Sequence, residues 1–252
     1  MPNLTDLQAE LNALACTERA AALQRFFKTG PGGYAQGDRF LGIPVPKQRK
    51  LLGQYTAPGT LALLPLADIF TLLQTDIHEY RFCALQLLVR RYQTSDAAQQ
   101  HAVFQAYFDN TAYINNWDLV DSSAPHIAGH YLLTRDVAPL YTLAQSASLW
   151  ERRIAIVATL AHIRQGQFAP TLSIAAQLLE DTQDLIHKAS GWMLREVGKR
   201  DSAPLHAFLR SHAATMPRTM LRYAVERLPA VQAREFMAMR ATLSAKKSRV
   251  VR

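Results

Sequence analysis

The chain is poor in several residues and patterns that announce particular chemistries. Its 252 residues include only two cysteines, Cys16 and Cys83, far apart and outside any C-x-x-C pair. That excludes a disulfide framework, an iron–sulfur signature and a cysteine-built zinc site, and it suits a reducing cytoplasm. The eight histidines supply no H-E-x-x-H motif, so a metal hydrolase is disfavoured and neither a metal nor another cofactor is expected. Long apolar runs are missing too. The most apolar window, 61–73, is broken by Pro65 and Asp68, too early for a membrane span. Met1-Pro2-Asn3-Leu4-Thr5-Asp6 lacks the basic start and apolar run of a signal peptide, so Asn3-Leu4-Thr5 reads as a chance glycosylation match. Period-two alternation nowhere lasts long, which leaves little room for a sheet. Acidic charge is the scarcer sign, with 20 Asp and Glu against 28 Lys and Arg, a net charge of +8. A basic excess suits an anionic partner, nucleic acid first. Lys246, Lys247, Arg249 and Arg252 hold four of those charges in a tail, 246–252, expected to be disordered, so the body is only mildly basic.

Helical spacing fills the rest. Thr5 or Asp6 is expected to cap a first helix with Leu7, Leu11 and Leu14 inward. Thr17 is expected to cap a second over 18–28, with Ala22, Phe26 and Phe27 inward. Gly30 to Gly37 reads as a flexible loop. Pro46 suits the first position of a helix over 47–55, whose first turn carries Lys47, Arg49 and Lys50. Cations there oppose the helix dipole and hint at an external anion. From residue 66 the pattern becomes regular: 66–73 with 78–91, 96–108 (capped by Ser95) with the helix of Trp117, 136–144 with 150–164, 170–179 with 184–199, and 202–212 with 218–228. A last helix spans 231–240. Helix pairs with short links at this period predict an all-α protein, an α-solenoid of HEAT-like repeats. It forms one domain over 1–245, with a concave groove lined by the second helix of each pair.

Along those second helices one slot holds Ala84, Asp121, Ala155, Ala189 and Leu221, at intervals of 37, 34, 34 and 32. Asp121 is the exception in a row of apolar residues. A carboxylate at an inward slot is paired, wet or functional, because a lone buried charge is costly. Trp117 lies four residues before it, on the same helix face one turn away. The plain structural alternative is a capping or salt-bridged Asp121 beside a core tryptophan. Residues near the same register in the other repeats are Arg81, Arg152 with Arg153, Lys188 with Trp192 and Arg195, then Arg218 and Arg222. Cations interleaved with indoles suit a phosphate backbone and exposed bases.

Trp117-Asp118-Leu119-Val120-Asp121, Leu149-Trp150-Glu151-Arg152-Arg153 and the run Ile186-His187-Lys188-Ala189-Ser190-Gly191-Trp192-Met193-Leu194-Arg195-Glu196 resemble the DNA alkylation repair enzyme family, the AlkD-like HEAT-repeat DNA glycosylases. Phe40-Leu41-Gly42-Ile43, followed by Pro46 and Arg49, is similar to that family's N-terminal segment. The resemblance covers about 20–230. The Gly-rich insert at 30–37 departs from it, as does Phe26, where some members carry a tyrosine.

The resemblance implies base excision of cationic N3- or N7-alkylated purines from double-stranded DNA by a monomer in the bacterial cytosol or nucleoid. It implies a catalytic carboxylate at Asp121, aromatic walls at Trp117 and Trp192, and a phosphate-holding arginine at Arg153. Lys47, Arg49, Arg152, Lys188 and Arg195 are expected to contact DNA. No Schiff-base lysine stands out, so the expected product is an abasic site in an intact strand. The competing expectation is a non-catalytic repeat scaffold that binds nucleic acid or a protein.

Overall fold

The computed structural model describes residues 3–57, 59 and 64–239. The tail at 246–252 and the start of the apolar window at 61–63 lie outside them. Among the described residues the protein is helical, with short 3₁₀ and π turns, one isolated bridge between Arg39 and Ile77, and no strand. It divides into two compact units, Met1–Ser123 and Ala124–Arg252.

The first unit holds α1 (Leu4–Ala13), α2 (Thr17–Phe26), α3 (Val45–Tyr55), α4 (Leu66–Leu73), α5 (His78–Thr94), α6 (Ala97–Asp109) and α7 (Trp117–Ser123). Helix α5 is its axis, and α3, α4, α6 and α7 all pack on it. Several starts differ from the expected ones by a residue or two. Asn3, not Thr5 or Asp6, caps α1, its Oδ1 accepting from the Asp6 amide at 2.8 Å. Asp96, not Ser95, caps α6 through the Gln99 amide at 2.9 Å. Thr17 is already helical, and Pro46 takes the second position of α3 because Pro44 forms the cap. The inward face of α2 is also corrected. Ala22 is exposed and Phe26 is 63% exposed, while Phe27 is buried. The helix ends at Phe26, and the terminating residue Phe27 turns its ring onto Phe40 instead.

The segment 30–37 is a series of turns folded onto an aromatic cluster and not a free loop. Ala35 is buried with Phe27 and Phe40, and the half-buried Tyr34 donates to the Phe26 carbonyl at 3.4 Å. The next stretch, Leu41-Gly42-Ile43, is held by one carboxylate. Glu79 of α5 is 1% exposed and accepts from the amides of Leu41, Gly42 and Ile43 at 2.9, 2.8 and 3.2 Å. Gly42 is required there twice over. Its φ is +81°, and a Cβ would sit 2.3 Å from the Cys16 carbonyl oxygen.

The second unit holds α8 (Ala138–Ala144), α9 (Leu149–Ala158), α10 (Leu160–Arg164), α11 (Ala169–Gln177), α12 (Asp184–Arg200), α13 (Ser202–His212) and α14 (Arg218–Val225), then a helical stretch at 230–239. Two of the expected pairs form, α8 on α9 and α11 on α12, whereas α13 and α14, expected to pair with each other, both pack chiefly on α12, with α9 also against α12. The single helix expected over 150–164 is two. Thr159 sits at the break and its hydroxyl bonds back to the Ile156 carbonyl at 2.6 Å, a competitor for the helical ladder. Close approach of α12 to α14 depends on Gly191, where a Cβ would lie 2.4 Å from the Met220 carbonyl oxygen.

Candidate functional site

Helix α7 is short, and its first residues are tied from outside. The Trp117 amide donates to Asn116 Oδ1 at 2.9 Å. The Trp117 ring is half-buried and stacks on Phe27, with centroids 5.4 Å apart and planes 14° apart, while Phe26 meets it edge-on at 6.3 Å. One turn later stands Asp121. At the same slot Ala84, Ala155, Ala189 and Leu221 are all buried, whereas Asp121 is only half-buried. Of the five residues read at that slot, Asp121 is thus the one with partial access to solvent. Its charge reaches inward as well: burial pushes the Tyr107 phenol well above its ordinary range and Asp121 adds to the rise. Tyr107 meets Ser123 Oγ at 3.0 Å, and Ser123 donates to the Leu119 carbonyl, which fixes the end of α7.

Behind Trp117 lies a buried polar cluster that sequence reasoning missed. Asp38, His78, Arg81 and Asn116 are all buried. His78 Nε2 is 2.8 Å from Asp118 Oδ2, and its Nδ1 is 3.6 Å from Asp38 Oδ2, a charge contact longer than a hydrogen bond. Arg81 Nη1 donates to Asp38 Oδ1 at 2.9 Å and also to Asn115, and its Nε donates to the Thr75 carbonyl. Asn116 Nδ2 adds a longer bond to Asp38 at 3.4 Å. Arg81 is therefore not the groove-facing cation expected of it; it neutralises a buried carboxylate. Asp38 is placed by the bridge around Arg39, whose amide donates to the Asp76 carbonyl and whose carbonyl accepts from the His78 amide. Burial pulls the His78 pKa down, but Asp118 and Asp38 outweigh it and hold it at about 9, so the ring is an imidazolium at neutral pH. Burial raises the Asp38 carboxyl, and His78 with Arg81 more than reverses that, leaving it below its ordinary value. The only sequence signal was three acidic or amide residues, Asn115, Asn116 and Asp118, crowding the start of α7.

The remaining expected site residues lie in the second unit, on α9 and α12. Arg153 is 5% exposed and its Nη1 donates to the Leu185 carbonyl at 2.6 Å, tying α9 to the start of α12. Arg152 Nε pairs with Asp181 at 2.6 Å and its Nη1 donates to the carbonyls of Ser146 and Ala147. Lys188 pairs with Asp184 at 2.8 Å, and Arg195 bonds Glu226. Trp192 is half-buried and its Nε1 donates to Glu196 Oε1 at 3.2 Å. These cations are thus already engaged within the fold, Lys188 by an i,i+4 partner on its own helix and the three arginines by partners that the fold supplies. By contrast Lys47 and Arg49 on α3 are exposed, and Arg49 with Arg90 borders an open cavity of about 220 Å³ between α3 and α5.

Sequence reasoning also passed over one histidine pair, His126 and His130, four apart across the π-helical turn Pro125–Gly129. Burial, helped by Arg164 and His130, pulls the His126 pKa below its ordinary value. Among the described residues no group of three or more His, Cys, Asp or Glu side chains is arranged to hold a metal ion.

The fold is that of an all-α helical-repeat protein, with an indole and a carboxylate one turn apart on a half-exposed helix face. The family model for the DNA alkylation repair enzyme matches residues 7–228, and the chain belongs to that family. It is similar in structure to a predicted DNA alkylation repair enzyme from Enterococcus faecalis, with a TM-score of 0.64 and 19% sequence identity, over 84% of this chain and 96% of that one. A search of curated proteins finds no match.

Proposed function

We propose that this member of the DNA alkylation repair enzyme family is a monofunctional DNA glycosylase that releases cationic N3- or N7-alkylated purines. The observation that carries the reading is Asp121, a carboxylate held half-open to solvent one turn from Trp117, at a slot that is buried and apolar in the other repeats. A purine alkylated at N3 or N7 already carries positive charge and departs without prior protonation, so no general acid is needed. Positive charge then develops on the sugar, and a fixed carboxylate stabilises it selectively as the bond breaks. An indole face attracts the cationic base by about 0.5–2 kcal/mol, depending on desolvation. Asp121 and Trp117 are assigned those two roles. Trp192 is proposed as a second aromatic wall and Arg153 as a phosphate contact. Lys47, Arg49, Arg152, Lys188 and Arg195 are proposed to lie along double-stranded DNA, with the exposed pair on α3 the readiest to meet it.

Incubation of the protein with methylated DNA tests this. It should release free 3-methyladenine or 7-methylguanine and leave abasic sites in unbroken strands. Stoichiometric protein that binds DNA and releases no base would leave a binding scaffold as the better reading.

Binding itself should be salt-dependent and nearly indifferent to sequence, because phosphate contacts carry no base information. Substituting Lys47 and Arg49 together by Ala should lower affinity for any duplex and flatten the dependence on salt by about two contacts' worth. A titration in which the double variant keeps the wild-type salt slope would remove α3 from the interface.

A further inference from the structure

Two segments of the first unit converge on the imidazole of a third. Asp38 arrives from the turn before Phe40, Asp118 from the first turn of α7, and His78 opens α5. A cation at a helix N-terminus is of the wrong sign for the dipole, so His78 stays charged there only because two carboxylates face it. The other charged groups nearby all have partners of their own. Arg81 pairs with Asp38, Glu79 turns to the amides of Leu41, Gly42 and Ile43, and Arg39 pairs with Asp76 at the surface. With His78 protonated the cluster of Asp38, His78 and Arg81 with the part-buried Asp118 is neutral; with His78 neutral it carries one uncompensated negative charge, which is costly where three of its four members are buried.

The same ring is also part of a stack. His78 lies on Phe40 with centroids 4.5 Å apart and planes at 19°, Phe40 lies on Phe27 at 5.0 Å, and Phe27 lies on Trp117 at 5.4 Å. His78 is thus joined to Trp117 twice: through the ring stack, and through Asp118, the residue next to Trp117 in α7. Asp121 follows Asp118 by three residues on the same short helix.

We propose that His78, clamped between Asp38 and Asp118, is a positioning residue that sets the orientation of Trp117 and Asp121, so that its charge state controls excision without its touching DNA. The effect on excision rests on the glycosylase reading above; the clamp itself does not. Loss of the imidazolium loosens α7's first turn and one end of the stack together: a neutral ring keeps one N–H, so its Nε2 bond to Asp118 loses charge assistance and its Nδ1 contact with Asp38 loses its attraction. A reacting group misplaced by about an ångström can cost roughly a hundredfold in rate.

Two readouts test the clamp on the full-length protein. In a Trp150→Phe/Trp192→Phe background Trp117 is the sole tryptophan, and its fluorescence reports its own surroundings. Between about pH 7 and 10 that emission should titrate with a midpoint near the His78 value of about 9, and the transition should vanish in His78→Gln. On the wild-type background, His78→Gln and Asp118→Asn should each lower single-turnover excision by roughly tenfold or more at neutral pH, with affinity for undamaged duplex unchanged. Fluorescence that titrates alike with and without His78, or variants that excise at the wild-type rate per folded molecule, would overturn the proposal. A wild-type protein that shows the fluorescence transition but releases no base would retain the clamp and dismiss the glycosylase. If His78→Gln does not fold, Asp118→Asn, at a side chain closer to the surface, carries the same two measurements.

Discussion

Asp121→Asn should lower the single-turnover rate of alkylpurine release by roughly a hundredfold or more, the size of effect seen when one preorganised electrostatic group is lost. The substrate base is already cationic, so the carboxylate acts through its charge and not as a proton donor. Asparagine keeps the shape and most of the hydrogen-bonding capacity and removes only that charge. Affinity for DNA should be unchanged or slightly higher, because a repulsion with phosphates is relieved. Folding stability should hold, since Asp121 is half-buried and its slot accepts Ala or Leu in the other repeats. If Asp121 served only to cap or brace α7, the pattern would invert: the melting temperature would fall and turnover per folded molecule would stay normal. Measuring both on one preparation decides the matter, and a destabilised but fully active Asp121→Asn would end the catalytic assignment.

The second large effect concerns stability. Glu79→Ala should cost on the order of 4 kcal/mol, because it strands three buried or part-buried backbone donors at once. The amides of Leu41, Gly42 and Ile43 have the Glu79 carboxylate as their shared acceptor, and Gly42, with its positive φ and its neighbour Cys16 in van der Waals reach, leaves the segment little freedom to turn them elsewhere. Glu79→Gln should cost less. Its remaining carbonyl oxygen can still receive Gly42 and Ile43, both of which bond one oxygen of Glu79, while the Leu41 amide would face an NH₂ group. Chemical denaturation of the two variants beside wild type gives the order. A Glu79→Ala protein within about 1 kcal/mol of wild type would mean that water or a shifted side chain satisfies the segment. Because Phe40 begins that segment and stacks on both Phe27 and His78, loss of Glu79 should also disturb the support of Trp117.

The stability contributed by His78 has a definite pH sense. Its pKa in the folded protein, about 9, lies above the ordinary 6.5, so the contribution is fully present below about pH 6.5 and fades as pH rises toward 9. The clamp behind Trp117 and the stability of the first unit should therefore weaken together on the alkaline side.

What the sequence determined by itself is what local periodicity and composition control. Apolar spacing is a property of single helices and their immediate partners, so the all-α class, the pairing of helices such as α8 with α9 and α11 with α12, and the apolar slot at Ala84, Ala155, Ala189 and Leu221 were legible without coordinates. Asp121 was legible for the same reason, as the one residue that broke that row, and Trp117 followed from the i,i+4 geometry of a helix. Helix ends were less so. Asn3 and Asp96 took caps that neighbouring residues were equally able to fill, and Thr159 split a continuous pattern with a single hydroxyl. Only the tertiary structure decided which charges are spoken for. Arg81 reads in sequence like Lys47, yet one neutralises Asp38 from 43 residues away and the other is exposed. Residues 30–37 have the composition of a mobile loop, yet Ala35 and Tyr34 anchor them to Phe27 and Phe40. The ion pair of Arg81 with Asp38 and the ring stack behind Trp117 depend on partners brought together by the fold across tens of residues, and no spacing rule along one helix encodes them. The cluster of Asp38, His78 and Asp118 behind Trp117 is the fullest case, because each member is unremarkable in its own stretch and His78 owes its charge to the two carboxylates that the fold brings to it.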